Sequence, residues 1–294
     1  MKPIAAGCIP VLLILSVATL PVVVGVEQGY LSFHPEVGVG LISEYLRGVF
    51  DGTSFRYVIE EEHLFRADVH SGYTGGFGEV LSKFFPFSAA MTLVCGMIAL
   101  PIAIPAGMVM RRARGWVKHL FGFLTLIPDF AFALLLQLSV VLIYQRTGVL
   151  VAETATFGED RAVLLPALTL LLLPLVYLVR QTSHQTRSIL TEDYILTAKA
   201  KGLSHRLIHA RHVFRNLLPF IRAELHYITS MLLGSLFVVE YLFNLEGMTR
   251  LLYLLGYQYP LLVNTLFSLA AIYLLTYGAL QMTVFALERG LARD

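Results

Sequence analysis

Thr191-Glu192-Asp193-Tyr194-Ile195-Leu196-Thr197-Ala198-Lys199-Ala200-Lys201-Gly202-Leu203, continuing through Ser204-His205-Arg206 to Asn216-Leu217-Leu218-Pro219, is a polar, basic block between two long apolar runs. Thr191 reads as an N-cap, with Glu192 and Asp193 in the first turn, where the helix dipole favours negative charge. The pattern predicts a short helix over 192–201, ended by Gly202 in the left-handed position. Ser204 is placed to cap a second short helix carrying Arg206, Arg211, His212 and Arg215, and Pro219 marks the start of the next apolar run. The small Ala198 and Ala200 beside a glycine turn would let a partner's backbone approach closely. Tyr194, Ile195 and Leu196 would offer it an apolar anchor. From the residues alone, a partner-docking helix and an amphipathic helix lying on anionic lipid stand as equal readings.

The chain around this block reads as a polytopic membrane protein. Of its 294 residues 56% are hydrophobic and 14% charged, and the mean hydropathy is +0.71; soluble domains carry about a quarter charged residues. A membrane helix needs about 20 mostly apolar residues. Such runs lie near 4–26, 84–110, 120–144, 162–180, 220–243 and 261–287, giving an all-α fold with six transmembrane helices. The first run has the Lys2 and apolar centre of a signal peptide, but it is long and lacks a small-x-small cleavage site, which favours a retained helix. Ala5-Ala6-Gly7-Cys8 resembles a lipoprotein box, yet precedes the apolar run instead of following it. Pro101, Pro105, Pro128 and Pro174 fall inside spans, which neighbouring helices can accommodate.

Basic residues set the orientation. With the N-terminus inside, the inner segments hold fifteen of the 22 lysines and arginines and the outer ones seven, so both termini are expected in the cytoplasm. This divides the chain into a first helix (1–26), an external region (27–83) and a transmembrane domain (84–290) whose cytoplasmic loop is 191–219. The net charge of +2 argues against a nucleic-acid partner. Cys8 and Cys95 both lie in apolar runs and imply no disulfide framework.

Thr197-Ala198-Lys199-Ala200-Lys201-Gly202-Leu203, continued by Arg211-His212, Arg215-Asn216 and Leu218-Pro219, resembles the EAA loop of ABC importer permeases of the dipeptide/oligopeptide/nickel class. Val239-Glu240, Phe243, Gly247, Arg250-Leu251 and Tyr259-Pro260 resemble the end of that family's fifth span. Leu165-Pro166-Ala167-Leu168 and Ile127-Pro128 with Phe130 match weaker signatures. The sequence departs from the pattern at Asp129, Glu246, Thr249 and Gln258, and Gly75-Gly76-Phe77-Gly78 matches the external Gly-Asp-x-Gly element only in part.

The resemblance implies a permease subunit of an ATP-driven importer of di- or oligopeptides in a bacterial inner membrane, with nickel uptake as the alternative in the same class. It implies a second permease (a different chain by preference, a second copy otherwise), two cytoplasmic ATPases and an extracellular solute-binding protein. It assigns ATPase docking to Glu192, Asp193, Ala198, Ala200, Gly202 and Leu203. No Gly-x-x-x-x-Gly-Lys-Ser/Thr loop occurs, so ATP and magnesium are expected on the partners, with no cofactor on this chain. No catalytic residue or Gly-x-Ser-x-Gly is expected either. A secondary transporter would show inverted repeats and paired broken helices, and an intramembrane hydrolase would need paired catalytic groups.

Asp129 reads as an acid well inside a span, for a translocation path or subunit contact, or a packing hydrogen bond near Pro128. Glu240, near the outer end of the fifth span, faces either the path or an interface. His34, His63 and His70 show no metal-ligand spacing. Glu60-Glu61-Glu62 reads as a solvated acidic face, or one that steers a binding protein or a peptide's amino terminus.

Overall fold

The computed structural model describes residues 2–27, 30–58, 74–110, 112–158, 160–204, 207–255 and 258–292. In chain order these form α1 (Lys2–Ala18), the single turn α2 (Leu20–Val23), β1 (Val24–Glu27), β2 (Tyr30–Phe33), α3 (Pro35–Asp51), β3 (Arg56–Val58) and β4 (Thr74–Gly76). There follow α4 (Phe77–Met110), α5 (Gly115–Leu124), α6 (Asp129–Thr147), α7 (Leu164–Leu190), α8 (Asp193–Ala200), α9 (Phe214–Leu242), α10 (Arg250–Leu255) and α11 (Tyr259–Ala292). Among the described residues α4, α6, α7, α9 and α11 are long and apolar enough to cross a bilayer, and a shorter apolar helical stretch, Ile9–Val23, makes the sixth. The expected six-span helical fold is therefore present.

Several local expectations are corrected. The run 120–144 is two helices, because the chain is extended at Pro128 (φ −62°, ψ 149°) and α6 starts only at Asp129; a residue before proline is also biased away from helix. Asp129 thus opens a helix instead of sitting inside one. Thr191 is not an N-cap. It ends α7 in helical geometry (φ −95°, ψ −5°), and its hydroxyl donates to the Ser188 carbonyl at 2.7 Å. The extended residue is Glu192 (ψ 146°), which makes no side-chain cap bond. Pro219 lies inside α9 instead of marking its start, and a π-helical turn at Ile208–Val213 runs straight into that helix. α4 and α7 also outrun their hydropathy: seven residues earlier than 84 for one, ten residues later than 180 for the other.

The chain divides into two compact units, Met1–Ser88 with Glu246–Ile272, and Ala89–Leu245 with Tyr273–Asp294. In the first, Leu15, Ala18, Tyr45, Tyr259 and Val263 form a core. Buried hydroxyls need partners, and here they close a circuit. Tyr45 donates to Asn264 Oδ1 at 2.7 Å, Asn264 Nδ2 to the Ser54 carbonyl at 2.8 Å, and Ser54 to the Tyr45 carbonyl at 2.7 Å. Tyr259 meets Tyr45 edge-on, with ring centroids 5.9 Å apart, and donates to the Leu15 carbonyl at 3.0 Å. Burial raises the Tyr45 pKa above the ordinary phenol value. The segment carrying Tyr45 and Ser54 is thus tied to the first helix and to the start of the last. Two short hairpins edge it, with Val24 opposite Phe33 and Arg56 opposite Gly76.

The second unit is built on α7 and α9, which pack along each other, with α6 against both. In a bilayer, helix contacts rest on close packing, since lipid is as apolar as leucine. Gly107 of α4 illustrates this: a Cβ there would stand 2.5 Å from Thr182 Cβ and 2.7 Å from the Val179 carbonyl oxygen. Only glycine lets those two helices meet so closely.

Candidate functional site

α8 has two unlike faces. Ile195 is fully buried and Ala198 is 5% exposed. That pair, one turn apart, turns toward the chain, and α8 packs on the π-helical turn. Glu192, Asp193, Leu196, Lys199 and Ala200 are exposed, and Leu203 is half-buried. Two expected contacts are therefore corrected: Ala198 and Ile195 hold the helix to its own chain. Tyr194 is exposed but not idle, since its hydroxyl accepts a 2.8 Å bond from Asn216 Nδ2 at the start of α9.

The end of α8 is a Schellman turn. Gly202 stands in the left-handed region (φ 76°), its amide donates to the Lys199 carbonyl at 3.0 Å, and the Leu203 amide reaches the Ala198 carbonyl at 3.2 Å. Nothing lies within 4 Å of where a Gly202 Cβ would be. Ser204 Oγ then accepts from the Leu207 amide at 3.4 Å, consistent with its capping role. The block is thus a short helix and turn, bracketed by two long helices, with an uncovered outer face.

Asp129 is bonded within the chain and Glu240 is buried. Asp129 Oδ1 accepts from the Phe130 amide at 2.9 Å, and Oδ2 from the Ser235 hydroxyl, also at 2.9 Å. This is the packing bond near Pro128, pinning the start of α6 to α9. Glu240 is 2% exposed, and its carbonyl accepts from the Leu245 amide at 2.9 Å. His34 stands 3.4 Å from Glu36, while His63, His70 and Glu60–Glu62 lie outside the described residues. Among the described residues no cluster of three His, Cys, Asp or Glu side chains is disposed to hold a metal.

A different polar set, missed in the sequence, lies along α9. Ala223, the pair His226–Tyr227, Ser230 and Gly234 recur every three or four residues, and all five residues are exposed. On one flank Tyr177 donates to Glu224 Oε2 at 2.6 Å, Gln181 donates to Tyr177 at 3.1 Å, and Tyr177 meets Tyr227 at 4.6 Å between centroids. On the other, His226 stacks on Tyr277 at 4.0 Å, and its Nδ1 lies 2.8 Å from the Tyr273 hydroxyl. His226 is about 18 Å along α9 from Phe214, near the middle of a spanning helix. Polar groups at such depth face a cavity or a partner, not lipid. α6 presents the opposite surface: Leu134, Leu135, Leu138, Val141 and Leu142. The available signal was Glu224-x-His226-Tyr227 interrupting an apolar run.

Residues 99–293 match the family described as binding-protein-dependent transport system inner membrane component. A putative peptide transport system permease protein of Brucella abortus (strain 2308) is 29% identical over 197 residues, covering 62% of this chain and 63% of that one. The oligopeptide transport system permease protein AppB of Bacillus subtilis (strain 168) is 34% identical over 199 residues, 63% of this chain and 62% of that one. The dipeptide transport system permease protein DppB of Escherichia coli (strain K12) is 30% identical, covering 58% and 60%. The chain spans less than two thirds of the length of these relatives.

Proposed function

Because this chain belongs to the family of binding-protein-dependent transport system inner membrane components, and is a multi-pass membrane protein, we propose that it is the permease subunit of an ATP-driven importer for di- or oligopeptides. It pairs with a second permease, is served by an external solute-binding protein, and is driven by two ATPases on the cytoplasmic side, where both termini lie. The observation that carries this reading is α8: a helix fastened to its own chain by Ile195, Ala198 and Tyr194, with Glu192, Asp193, Leu196, Ala200 and Gly202 left uncovered. ATP hydrolysis and its magnesium belong to the partners.

The geometry supports the exposed row of α9 as the wall of the translocation path. Donors and acceptors from His226, Tyr227 and Ser230 can exchange hydrogen bonds with the amides of a peptide irrespective of its side chains. Asp129 then acts as a brace, setting α6 against that wall. Coupling follows from fastening α8 to both α7 and α9. Closure of the ATPases on α8 moves those helices together, a two-state change driven by differential binding.

The test is Gly202→Trp with Gly202→Asn as control. Asparagine tolerates the left-handed region and adds little bulk. Tryptophan fills space that is empty in this chain and available to the ATPase. We expect both variants to insert at wild-type levels, the asparagine variant to sustain peptide uptake, and the tryptophan variant to lose it along with ATPase co-purification. Normal uptake with Gly202→Trp would refute docking at this turn.

A further inference from the structure

We propose that the groove between α5 and α7 binds the phosphate-bearing headgroup of an anionic phospholipid. The groove has a volume of about 440 Å³, and Lys118, Arg180, His184 and Arg187 line it with no carboxylate among its walls. Among the described residues no ion pair involves Lys118, Arg180 or Arg187. Arg180 donates only to a neutral oxygen, Thr125 Oγ1, at 2.8 Å. Two arginines, a lysine and an imidazole therefore share one groove with no ion pair among the described residues; the carboxylate at its edge, Glu224, is held by the Tyr177 hydroxyl instead. An anion would relieve their mutual repulsion.

The groove's depth and its apolar wall choose between anions. The mostly apolar part of α7, Leu164–Val179, has sixteen residues. That is about 24 Å of helix, against a hydrocarbon core of about 30 Å. Arg180 to Arg187 consequently fall where hydrocarbon gives way to headgroups. α5 has no buried residue; it turns Phe121 into the groove, where Met110 also lines it, and exposes Trp116, Leu120 and Phe123 on its other face. Basic pockets between helices on the cytoplasmic side suit anionic headgroups. A phospholipid offers both complements at once: phosphate for the cations, acyl chain for the apolar Met110 and Phe121 of the wall. Free phosphate would use only the first. The inference rests on the membrane placement proposed above, and not on cargo or coupling, so the uptake assay of Gly202 variants and the lipid assay fail independently.

The full chain in non-ionic detergent, titrated separately with phosphatidylglycerol, phosphatidylcholine and inorganic phosphate, can be read by native mass spectrometry. Phosphatidylglycerol is expected to be retained in preference to phosphatidylcholine. Lys118→Ala with Arg187→Ala should lower that retention by about tenfold. Arg146→Ala with Arg161→Ala, whose arginines lie outside the groove, should leave it as in wild type. Lys118→Arg with Arg187→Lys should restore it, separating lost charge from misfolding. Equal retention of both lipids, indifference to the groove variants, or displacement of phosphatidylglycerol by millimolar inorganic phosphate would each overturn the proposal.

Discussion

α8 and α9 end in the same turn, in opposite surroundings. At the end of α9 the Leu245 amide donates to the Glu240 carbonyl at 2.9 Å and the Asn244 amide to the Tyr241 carbonyl at 3.3 Å, the pattern already seen at Lys199–Leu203. Gly202 takes the left-handed position in one (φ 76°) and Asn244 in the other (φ 52°). Asn244, however, also donates through Nδ2 to the Thr156 carbonyl at 2.8 Å, and Phe243 beside it is fully buried, its carbonyl accepting from the Thr156 amide at 2.9 Å. Gly202 has no such tie. One turn is completed by its own chain and the other is left open, in keeping with the docking proposed for it.

The largest expected effect tests the closed end. Phe243→Ala removes a fully buried ring and should destabilise the protein by about 3–5 kcal/mol, measured by unfolding of the detergent-solubilised chain. Leu196→Ala, on the uncovered face of α8, should stay within about 0.5 kcal/mol while weakening ATPase association. Equal losses of stability from the two would mean that α8 is covered by its own chain, and the contrast would collapse.

A smaller effect tests the turn itself. Asn244→Ala loses both the hydrogen bond to Thr156 and the residue type that tolerates positive φ, together about 2 kcal/mol. Asn244→Gly keeps the backbone geometry and should lose only about 1 kcal/mol. If the alanine and glycine variants unfold together, the left-handed geometry contributes nothing and the bond everything.

The parts legible in the sequence were those that depend on local chemistry. Gly202 announced a left-handed turn because few other residues adopt it cheaply, and apolar runs announced spans because a bilayer imposes their length. The ends of spans were less legible, since hydropathy marks where lipid stops and not where hydrogen bonding stops. α7 continues through Gln181 and His184, which are polar yet compatible with a helix. The break before Asp129 had a signal, proline followed by an acid at a helix start, but the apolar residues on both sides obscured it. Which face of α8 would be buried could not be read from eight residues, because Ile195 and Ala198 point inward only through packing on residues 208–213. The exposed row on α9 depended on partners far along the chain: Tyr177 is 47 residues from Glu224, and His226 is 47 from Tyr273.

The smallest effect concerns a third helix end, which sharpens the contrast by being closed with a charge. α3 stops at Asp51, and Gly52 follows in the left-handed region (φ 82°) with nothing near its Cβ position. Asp51 Oδ1 accepts from the Thr53 amide at 2.9 Å and from the Thr53 hydroxyl at 2.6 Å. Those bonds, the hydroxyl's first, hold the Asp51 pKa below the ordinary carboxylate value. A carboxylate whose pKa is lower folded than unfolded stabilises the fold above its unfolded pKa, and loses that contribution as pH falls through the folded one. Hydrogen exchange across residues 51–55, corrected for the intrinsic pH dependence, should therefore show protection at neutral pH that fades as pH falls below the ordinary carboxylate range. Asp51→Asn should keep part of that protection and make it independent of pH, whereas the turn at Gly202, which carries no titrating tie, should show no such fading in the same experiment. Fading at both turns alike would mean that global acid unfolding, and not the Asp51–Thr53 bonds, sets the protection at the end of α3.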